Sequence, residues 1–320
     1  HFLCSSQPTS MKEITAAITG VGHYVPEHIL SNADLEKMVD TNDQWIRSRT
    51  GIEERRIIKD PTLATSDLGA RAAQNLFDRK GISPDDIELT ICATVTADMS
   101  FPDTATIINH KLGIKHAFSF DINAACSGFL FALSTGARFI ETGRYKKVLV
   151  IGADTMSRIV DYSDRSTCIL FGDGAAAVLL EPNSEGFGLI GDTLHSDGIG
   201  KDVLNMKAGG SLMPASHETV DQRLHYIFQD GRPVFKAAVK GMQEAVDEIL
   251  QQHALNKDDI DWIVPHQANL RIIQSLADHL DFPIEKVMVN IQKYGNTTAG
   301  TNPIFLSEWE DQLKKGDNLI

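Results

Sequence analysis

The sequence predicts an α/β protein of two similar halves, each built around a largely parallel sheet. Three observations carry that class. Apolar strand-like runs alternate with amphipathic helical runs, the pattern of a parallel sheet flanked by helices. Ala72 to Ile91, AAQNLFDRKGISPDDIELTI, matches Ala245 to Val264, AVDEILQQHALNKDDIDWIV, without a gap, so that Asp85, Asp86 and Ile87 fall on Asp258, Asp259 and Ile260. Of the 320 residues, 42% are hydrophobic and 23% charged, a balance that suits a large globular core.

Taken in order, the first strand is read over Ile14 to Val21 and the first long helix over Ala64 to Arg79. A loop with Asp-Asp-Ile then leads into a buried strand that ends near Ile91. Phe118 to Ile122 reads as a strand, followed by an apolar helix over Gly128 to Thr142. Strands over Lys147 to Gly152 and Ala175 to Leu180 are apolar and bounded by glycine or charge. The second half repeats the scheme with a helix over Pro233 to His253, a strand ending at Val264 and a helix over Ala268 to Leu280. The matched strands end in unlike sequences, CATVTAD against PHQANLR, as expected where function has diverged at strand ends. No linker or low-complexity stretch separates the halves, and the boundary falls near residues 182–186, PNSEG, giving halves 11–184 and 185–320. Residues 1–10, HFLCSSQPTS, precede Met11, lack the basic start and apolar run of a signal peptide, and read as a cloning remnant foreign to the fold.

Composition excludes several function classes. A net charge of −13 repels nucleic acid and anionic membrane, and no basic run argues otherwise. No apolar run approaches the roughly 18 residues of a membrane helix. Cys4, Cys92, Cys126 and Cys168 form no CxxC pair and no disulfide framework, so a reducing cytoplasm is the expected setting. No His/Cys/Asp/Glu group has metal-ligand spacing.

Three motifs can carry chemistry. Asn123 to Phe129, NAACSGF, sets Cys126 among tiny residues at a strand-to-helix turn, where helix N-terminal N–H groups favour a thiolate. His266 in Val264 to Asn269, VPHQAN, follows a strand end and opens a helix, the place where α/β proteins put their sites. Asn296 lies in Tyr294 to Gly300, YGNTTAG, again beside a helix start. Taken singly, a buried structural cysteine, a structural histidine and a turn asparagine are the commoner roles. Gly172-Asp-Gly174 lacks the lysine and spacing of a phosphate loop and reads as a turn before a strand.

Together with DTNDQWIRSRTGIEERR (Asp40 to Arg56) and DRSTCILFGDGAAA (Asp164 to Ala177), these motifs resemble the type III β-ketoacyl-acyl carrier protein synthases of the thiolase superfamily, from Met11 to the end of the chain. The resemblance implies a duplicated five-layer α-β-α-β-α sandwich with a five-stranded sheet in each half, working as a homodimer. It implies an acyltransferase that starts fatty acid synthesis by condensing an acyl-coenzyme A primer, acetyl by preference, with malonyl-acyl carrier protein. Cys126 is then the acyl-accepting nucleophile, and His266 and Asn296 are the decarboxylation pair. Thr41, Trp45, Arg49, Arg165 and Asn269 match coenzyme A contacts, Phe101 and Phe171 the acyl pocket, and Lys236 and Arg271 the carrier-docking surface. Phe101 is expected to reach across the dimer and close the partner's pocket. No cofactor or metal is implied, since coenzyme A enters as the thioester substrate. Two departures stand out: the family's chain continues past KKGDNLI into a Gly-rich loop that shares the oxyanion hole, which suggests truncation, and Asp278 and His279 stand where some relatives carry a basic docking pair. The alternatives are a related acyltransferase of secondary metabolism, a degradative thiolase, which needs a second cysteine as base, and a non-catalytic binder, which needs no nucleophile.

Overall fold

The computed structural model describes residues 14–320, so the decapeptide at the N-terminus and Met11 lie outside the described residues. In chain order the strands are β1 (Thr15–Tyr24), β2 (Ile29–Ser31), β3 (Glu54–Arg56), β4 (Leu89–Ala93), β5 (Phe118–Ile122), β6 (Val148–Thr155), β7 (Asp173–Asn183), β8 (Leu204–Asn205) and β9 (Phe228–Gln229). The helices are α1 (Asn32–Leu35), α2 (Asp43–Thr50), α3 (Thr65–Lys80), α4 (Thr104–Leu112), α5 (Gly128–Glu141), α6 (Arg165–Cys168), α7 (His217–Asp221), α8 (Gly231–Gln252), α9 (Leu270–Leu280), α10 (Ile291–Tyr294) and α11 (Thr301–Glu308). Strands β2 and β3 make a small antiparallel ribbon. Strands β8 and β9 make another, and the remaining five form one sheet in the order β1-β7-β6-β4-β5.

β4 pairs in parallel with β5 and β6, whereas β7 is antiparallel to both β6 and β1. Four strands therefore run one way and β7 alone is reversed, so the sheet is less uniformly parallel than the alternation of elements suggests. The reason is local. Between β6 and β7 stand only the 3-10 turn Met156–Arg158 and the four-residue helix α6, too short to carry the chain back across the sheet.

Two cores clasp this sheet. Along β6 the side chains alternate, Leu149 and Ile151 joining one core with Leu68 and Leu76 of α3, Val148 and Val150 joining the other with Phe129, Ala132 and Leu133 of α5. α3 is started by Asp67, whose carboxylate accepts the Ala64 N–H at 2.8 Å, and stopped by Gly81 at φ 67. It lies so close to β1 that a Cβ on Gly22 would come within 2.4 Å of the Leu76 nitrogen. Only glycine fits there.

The second half repeats the element order. The 3-10 turn Pro84–Asp86 before β4 is matched by the turn Lys257–Asp259, each capped by the residue before it, Ser83 or Asn256. Residues 261–264 then pair in parallel with 286–288 on one side and 318–320 on the other, as β4 pairs with β5 and β6. The bonds include Ile263 N–H to Lys286 O at 3.1 Å and Met288 N–H to Ile263 O at 2.9 Å on one side, and Ile320 N–H to Trp262 O at 3.0 Å and Val264 N–H to Ile320 O at 2.7 Å on the other. Among the described residues these pairings are isolated bridges rather than a continuous five-stranded ladder, each flanking segment bonding through two residues, Lys286 and Met288 or Asn318 and Ile320. α8 and α9 cover the outer face through Val246, Leu250, Ile273 and Leu276, against Ile263 and Val287. α5 and α11 make the central layer, with Ile304 of α11 packed on Ala176 of β7.

Candidate active site

Cys126 sits between β5 and α5 in the 3-10 turn Ala125–Ser127. Ala125 stands at φ 48, a left-handed conformation that a residue with a Cβ seldom adopts and that structures keep where a side chain must be presented. The second half carries the matching feature. There the 3-10 turn Thr298–Gly300 precedes α11, Thr298 stands at φ 52, and Ala299 takes the place of Cys126. The two turns pack against one another: a Cβ on Gly128 would meet Ala93 Cβ at 3.2 Å and Ala299 Cβ at 3.6 Å. Close packing of the two halves is thus one reason for the small residues around the cysteine.

Asn296 is buried and joins the halves through its backbone, its N–H donating to Leu170 O at 2.8 Å and its carbonyl accepting from Gly172 N–H at 3.0 Å. That pairing places Phe171 in the core beside it and explains Gly172-Asp-Gly174. A Cβ on Gly172 would strike Tyr294 O at 2.3 Å, and the Asp173 carboxylate accepts from Ser157 and from Ile58 N–H, so this stretch is a packing device. The Asn296 side-chain oxygen accepts the Thr298 N–H at 2.9 Å, which leaves the amide NH₂ as the face of Asn296 that favours charge on the Cys126 sulfur.

His266 follows residues 261–264 directly. Its loop is locked by the buried side chain of Gln267, which donates to Pro265 O and Met288 O and accepts from Asn290 and Ile291 N–H. Asn302 of α11 donates to Val264 O at 2.8 Å and ties this loop to the helix that follows Asn296. Both ring nitrogens of His266 are buried without a hydrogen-bond partner. Burial lowers its pKa to about 4, so the imidazole is neutral near pH 7. Cys126 departs from the sequence expectation. Burial first, and the Asp154 carboxylate second, push its thiol up to about 12, against the pull of Asn296 and its own backbone N–H. The resting sulfur is a thiol.

The remaining sequence candidates form two groups. On α2, Trp45 is exposed, and the Arg165 guanidinium of α6 lies 5.3 Å from its ring centroid while donating to Asp40 O at 2.8 Å. Thr41 precedes α2, its hydroxyl buried without a partner. Arg49 is exposed at the end of α2, and its carbonyl accepts from the Asn269 side chain at 2.9 Å. Asn269 also caps α9 by accepting Arg271 N–H. These residues therefore share one surface around the start of α9. Beside it the Arg271 guanidinium stacks 5.2 Å over Phe235, next to Lys236 on α8. His279 is engaged by Asp247 at 2.9 Å. Phe101 is 84% exposed on the loop before α4, apart from the Cys126 turn of its own chain.

Comparison with known proteins bears on the family. The model of 3-oxoacyl-[acyl-carrier-protein (ACP)] synthase III matches residues 120–198, and that of its C-terminal part matches residues 250–320. Beta-ketoacyl-[acyl-carrier-protein] synthase III of Porphyromonas gingivalis is 56% identical over 310 residues, 97% of this chain and 92% of the relative. The chain belongs to this family. It is accordingly an acyltransferase of the condensing kind. The crystal structure of the Aquifex aeolicus synthase III is similar with a TM-score of 0.86 at 42% identity, over 95% of this chain and 94% of that one. The priming beta-ketosynthase of the R1128 polyketide pathway is similar with a TM-score of 0.82 at 33% identity, over 92% of this chain and 86% of that one. These likenesses establish the thiolase-like fold.

Within this synthase fold, three residues that hold the site's loops escaped the sequence reading: Asp154, Gln267 and Asn302. Gln267 and Asn302 lie inside or next to the quoted motifs, but nothing in their spacing tells a buried strap from a surface amide. Asp154 reads as the polar end of a strand. Among the described residues no group of three or more His, Cys, Asp or Glu side chains is placed to hold a metal ion, and no helix is long and apolar enough to cross a membrane.

Proposed function

We propose that the site condenses an acyl-coenzyme A primer, acetyl by preference, with malonyl-acyl carrier protein, and that Cys126, His266 and Asn296 perform the chemistry. The observation that carries the reading is the packing of the Ala125–Ser127 turn, which presents Cys126, against the Thr298–Gly300 turn, whose first N–H orients the Asn296 carboxamide. Cys126 sulfur adds to the primer carbonyl, the coenzyme A sulfur leaves, and the thiol proton passes to the departing sulfur. His266, neutral and with free ring nitrogens, is the relay at hand. Malonyl thioester then enters, and loss of carbon dioxide builds enolate charge on the thioester oxygen. His266 and Asn296 donate to that oxygen, each such donor being worth about 3 kcal/mol. The carbanion attacks the acyl carbonyl, and the Cys126 sulfur leaves as a thiolate that takes a proton from solvent. No resident cofactor enters these steps.

Trp45 and Arg165 take the coenzyme A adenine, with Thr41, Arg49 and Asn269 around it, and Arg271 and Lys236 receive the carrier protein. Since Arg165 already covers one face of Trp45, the base stacks either on the opposite face or after the arginine swings away. The protein works as a homodimer in the cytoplasm. In support, β5 is an edge strand with Phe118 partly exposed, Phe101 projects from the loop before α4, and Cys92, Cys126 and Cys168 are free thiols. Phe101 of one copy then closes the acyl pocket of the other, next to Phe171. A polyketide-type priming synthase is the second reading, favoured by the likeness to the R1128 enzyme.

Intact-protein mass spectrometry after incubation with acetyl-, hexanoyl- and decanoyl-coenzyme A tests both. Wild type should take up one acetyl group, Cys126→Ser none, and the decanoyl adduct should form only in Phe101→Thr. A stable acetyl adduct on Cys92 or Cys168 would refute the nucleophile, and ready decanoylation of wild type would refute the short primer.

A further inference from the structure

Asp154 ends β6 with no exposed surface. Its Oδ1 accepts from Thr94 Oγ1 at 3.0 Å, Val95 N–H at 2.9 Å, Thr96 N–H at 3.2 Å and Thr96 Oγ1 at 2.8 Å. Its Oδ2 accepts the Ala299 N–H at 3.1 Å, across the junction of the two halves. All these donors are uncharged, and burying a carboxylate without a cation is costly. A neutral amide at this position would turn an NH₂ toward one of two sets of donors. A group that accepts on both sides is required, and a carboxylate supplies it.

What it holds is strained. Thr298 is β-branched and stands at φ 52, and its own hydroxyl is buried without a partner. Two bonds flank that strain: Thr298 N–H to Asn296 Oδ1, which orients the carboxamide, and Ala299 N–H to Asp154 Oδ2, which pins the next peptide. If the second bond were lost, the turn could relax and the first would go with it. We propose that Asp154 is a positioning residue for the condensation, its carboxylate holding the Thr298–Gly300 turn in its left-handed form and so aiming the Asn296 amide at Cys126.

The same carboxylate has a second, separable effect. It is the charged group whose field reaches the Cys126 thiol. β4, the first turn of α5 and the Thr298–Gly300 turn carry no ionisable side chain there except the buried Cys92, Asp121 of β5 is turned to the Thr104 and Ala105 N–H groups of α4, and His266 and Asn296 are uncharged. Asp154 therefore disfavours the bare thiolate. The inference rests on the roles given above to Cys126 and Asn296, and Asn296→Ala by itself tests those roles. If that variant still decarboxylates a malonyl thioester normally, the role of Asn296 is wrong whatever Asp154 does.

The experiment uses Asp154→Asn in the full chain. It measures self-acylation by acetyl-coenzyme A, decarboxylation of malonyl thioester, and the pH curve of Cys126 alkylation by iodoacetamide. Decarboxylation should fall about tenfold or more, the worth of one oriented hydrogen bond, with self-acylation within about threefold of wild type. The alkylation curve should move to lower pH by about one unit or more, because a negative charge beside the thiol has gone. In an Asn296→Ala background Asp154→Asn should cost no further decarboxylation. In a Thr298→Gly background the loss should shrink to about threefold or less, since glycine holds a positive φ without a strap. Parallel loss of both half-reactions, or an undiminished loss beside Asn296→Ala, would overturn the proposal, and an unmoved alkylation curve would remove the separate effect on the thiol. If Asp154→Asn does not fold, the comparison is made against Thr298→Gly alone. Failure to fold there too would mark the carboxylate as part of the scaffold only and overturn the proposal.

Discussion

At Cys126 two influences oppose one another, and their sizes decide the outcome. A helix N-terminus stabilises a nearby anion by roughly 0.3–1 kcal/mol, rising to about 2 in favourable buried geometry. Burial together with Asp154 raises the thiol from 9.0 to about 12, a penalty of roughly 4 kcal/mol on the thiolate. Burial wins. The tiny neighbours that mark Cys126 as a presented side chain were legible, because small residues at a strand-to-helix turn are a local pattern. The protonation state was not legible, because it depends first on burial and then on Asp154, which gathers donors from Thr94 to Thr96 and from Ala299, all distant in sequence. For the same reason the sequence pointed to Asn296 and His266 but passed over the carboxylate behind them. Alkylation of wild-type Cys126 by iodoacetamide should therefore keep rising from pH 6 to pH 10 with no plateau. A plateau near pH 7 would restore the thiolate reading.

Among the elements, periodic helices and apolar strands were read to within about three residues: Ala64 to Arg79 became Thr65–Lys80, and Lys147 to Gly152 became Val148–Thr155. The extension of β6 matters most, since it carries the strand through Asp154 to the junction of the halves. The pairing in the second half was not legible from pattern. Segments 286–288 and 318–320 are too short for alternation to register, and they are set by bonds to residues 261–264. How tightly elements meet at the junction also escapes pattern, and Gly152 shows it. A Cβ there would fall 2.2 Å from Ala299 O and 2.8 Å from its carbonyl carbon. Both are backbone atoms that cannot swing aside. Gly152→Ala should force β6 and the Thr298–Gly300 turn apart, lowering stability by about 1–3 kcal/mol in a denaturant melt and decarboxylation more than self-acylation. An alanine tolerated with both half-reactions intact would show that the two halves are not in rigid contact there. On the coenzyme A surface, Trp45→Ala and Arg165→Ala should raise the Michaelis constant for acetyl-coenzyme A with less effect on turnover, since the contact is remote from the reacting bond. Unchanged constants in both would remove these residues from the nucleotide site.

For the molecule as a whole, two buried groups of the site place opposite demands on stability as pH falls. Unfolded His266 binds a proton near pH 6.5, but in the folded protein only near 4. Between those values the unfolded chain holds more protons, so acidification costs stability, by roughly 3 kcal/mol over the full window. Asp154 works the other way. Its carboxyl, raised by burial from 3.8 to about 6, is protonated first in the folded protein, which gains relative stability as pH falls from 6 toward 4. The two effects cover nearly the same window and offset one another, so neither shows plainly in the wild-type acid profile. Replacing one exposes the other. His266→Asn removes the group that must be buried neutral and leaves Asp154 in place. Relative to wild type, the variant should gain about 2–3 kcal/mol between pH 7 and pH 4.5, read from urea melts of both proteins at each pH. Every other titrating group is common to the pair and cancels in the difference. Parallel pH profiles for the two proteins would mean that His266 titrates normally, with its ring open to solvent, and the neutral imidazole assigned to the decarboxylation step would then have to be given up.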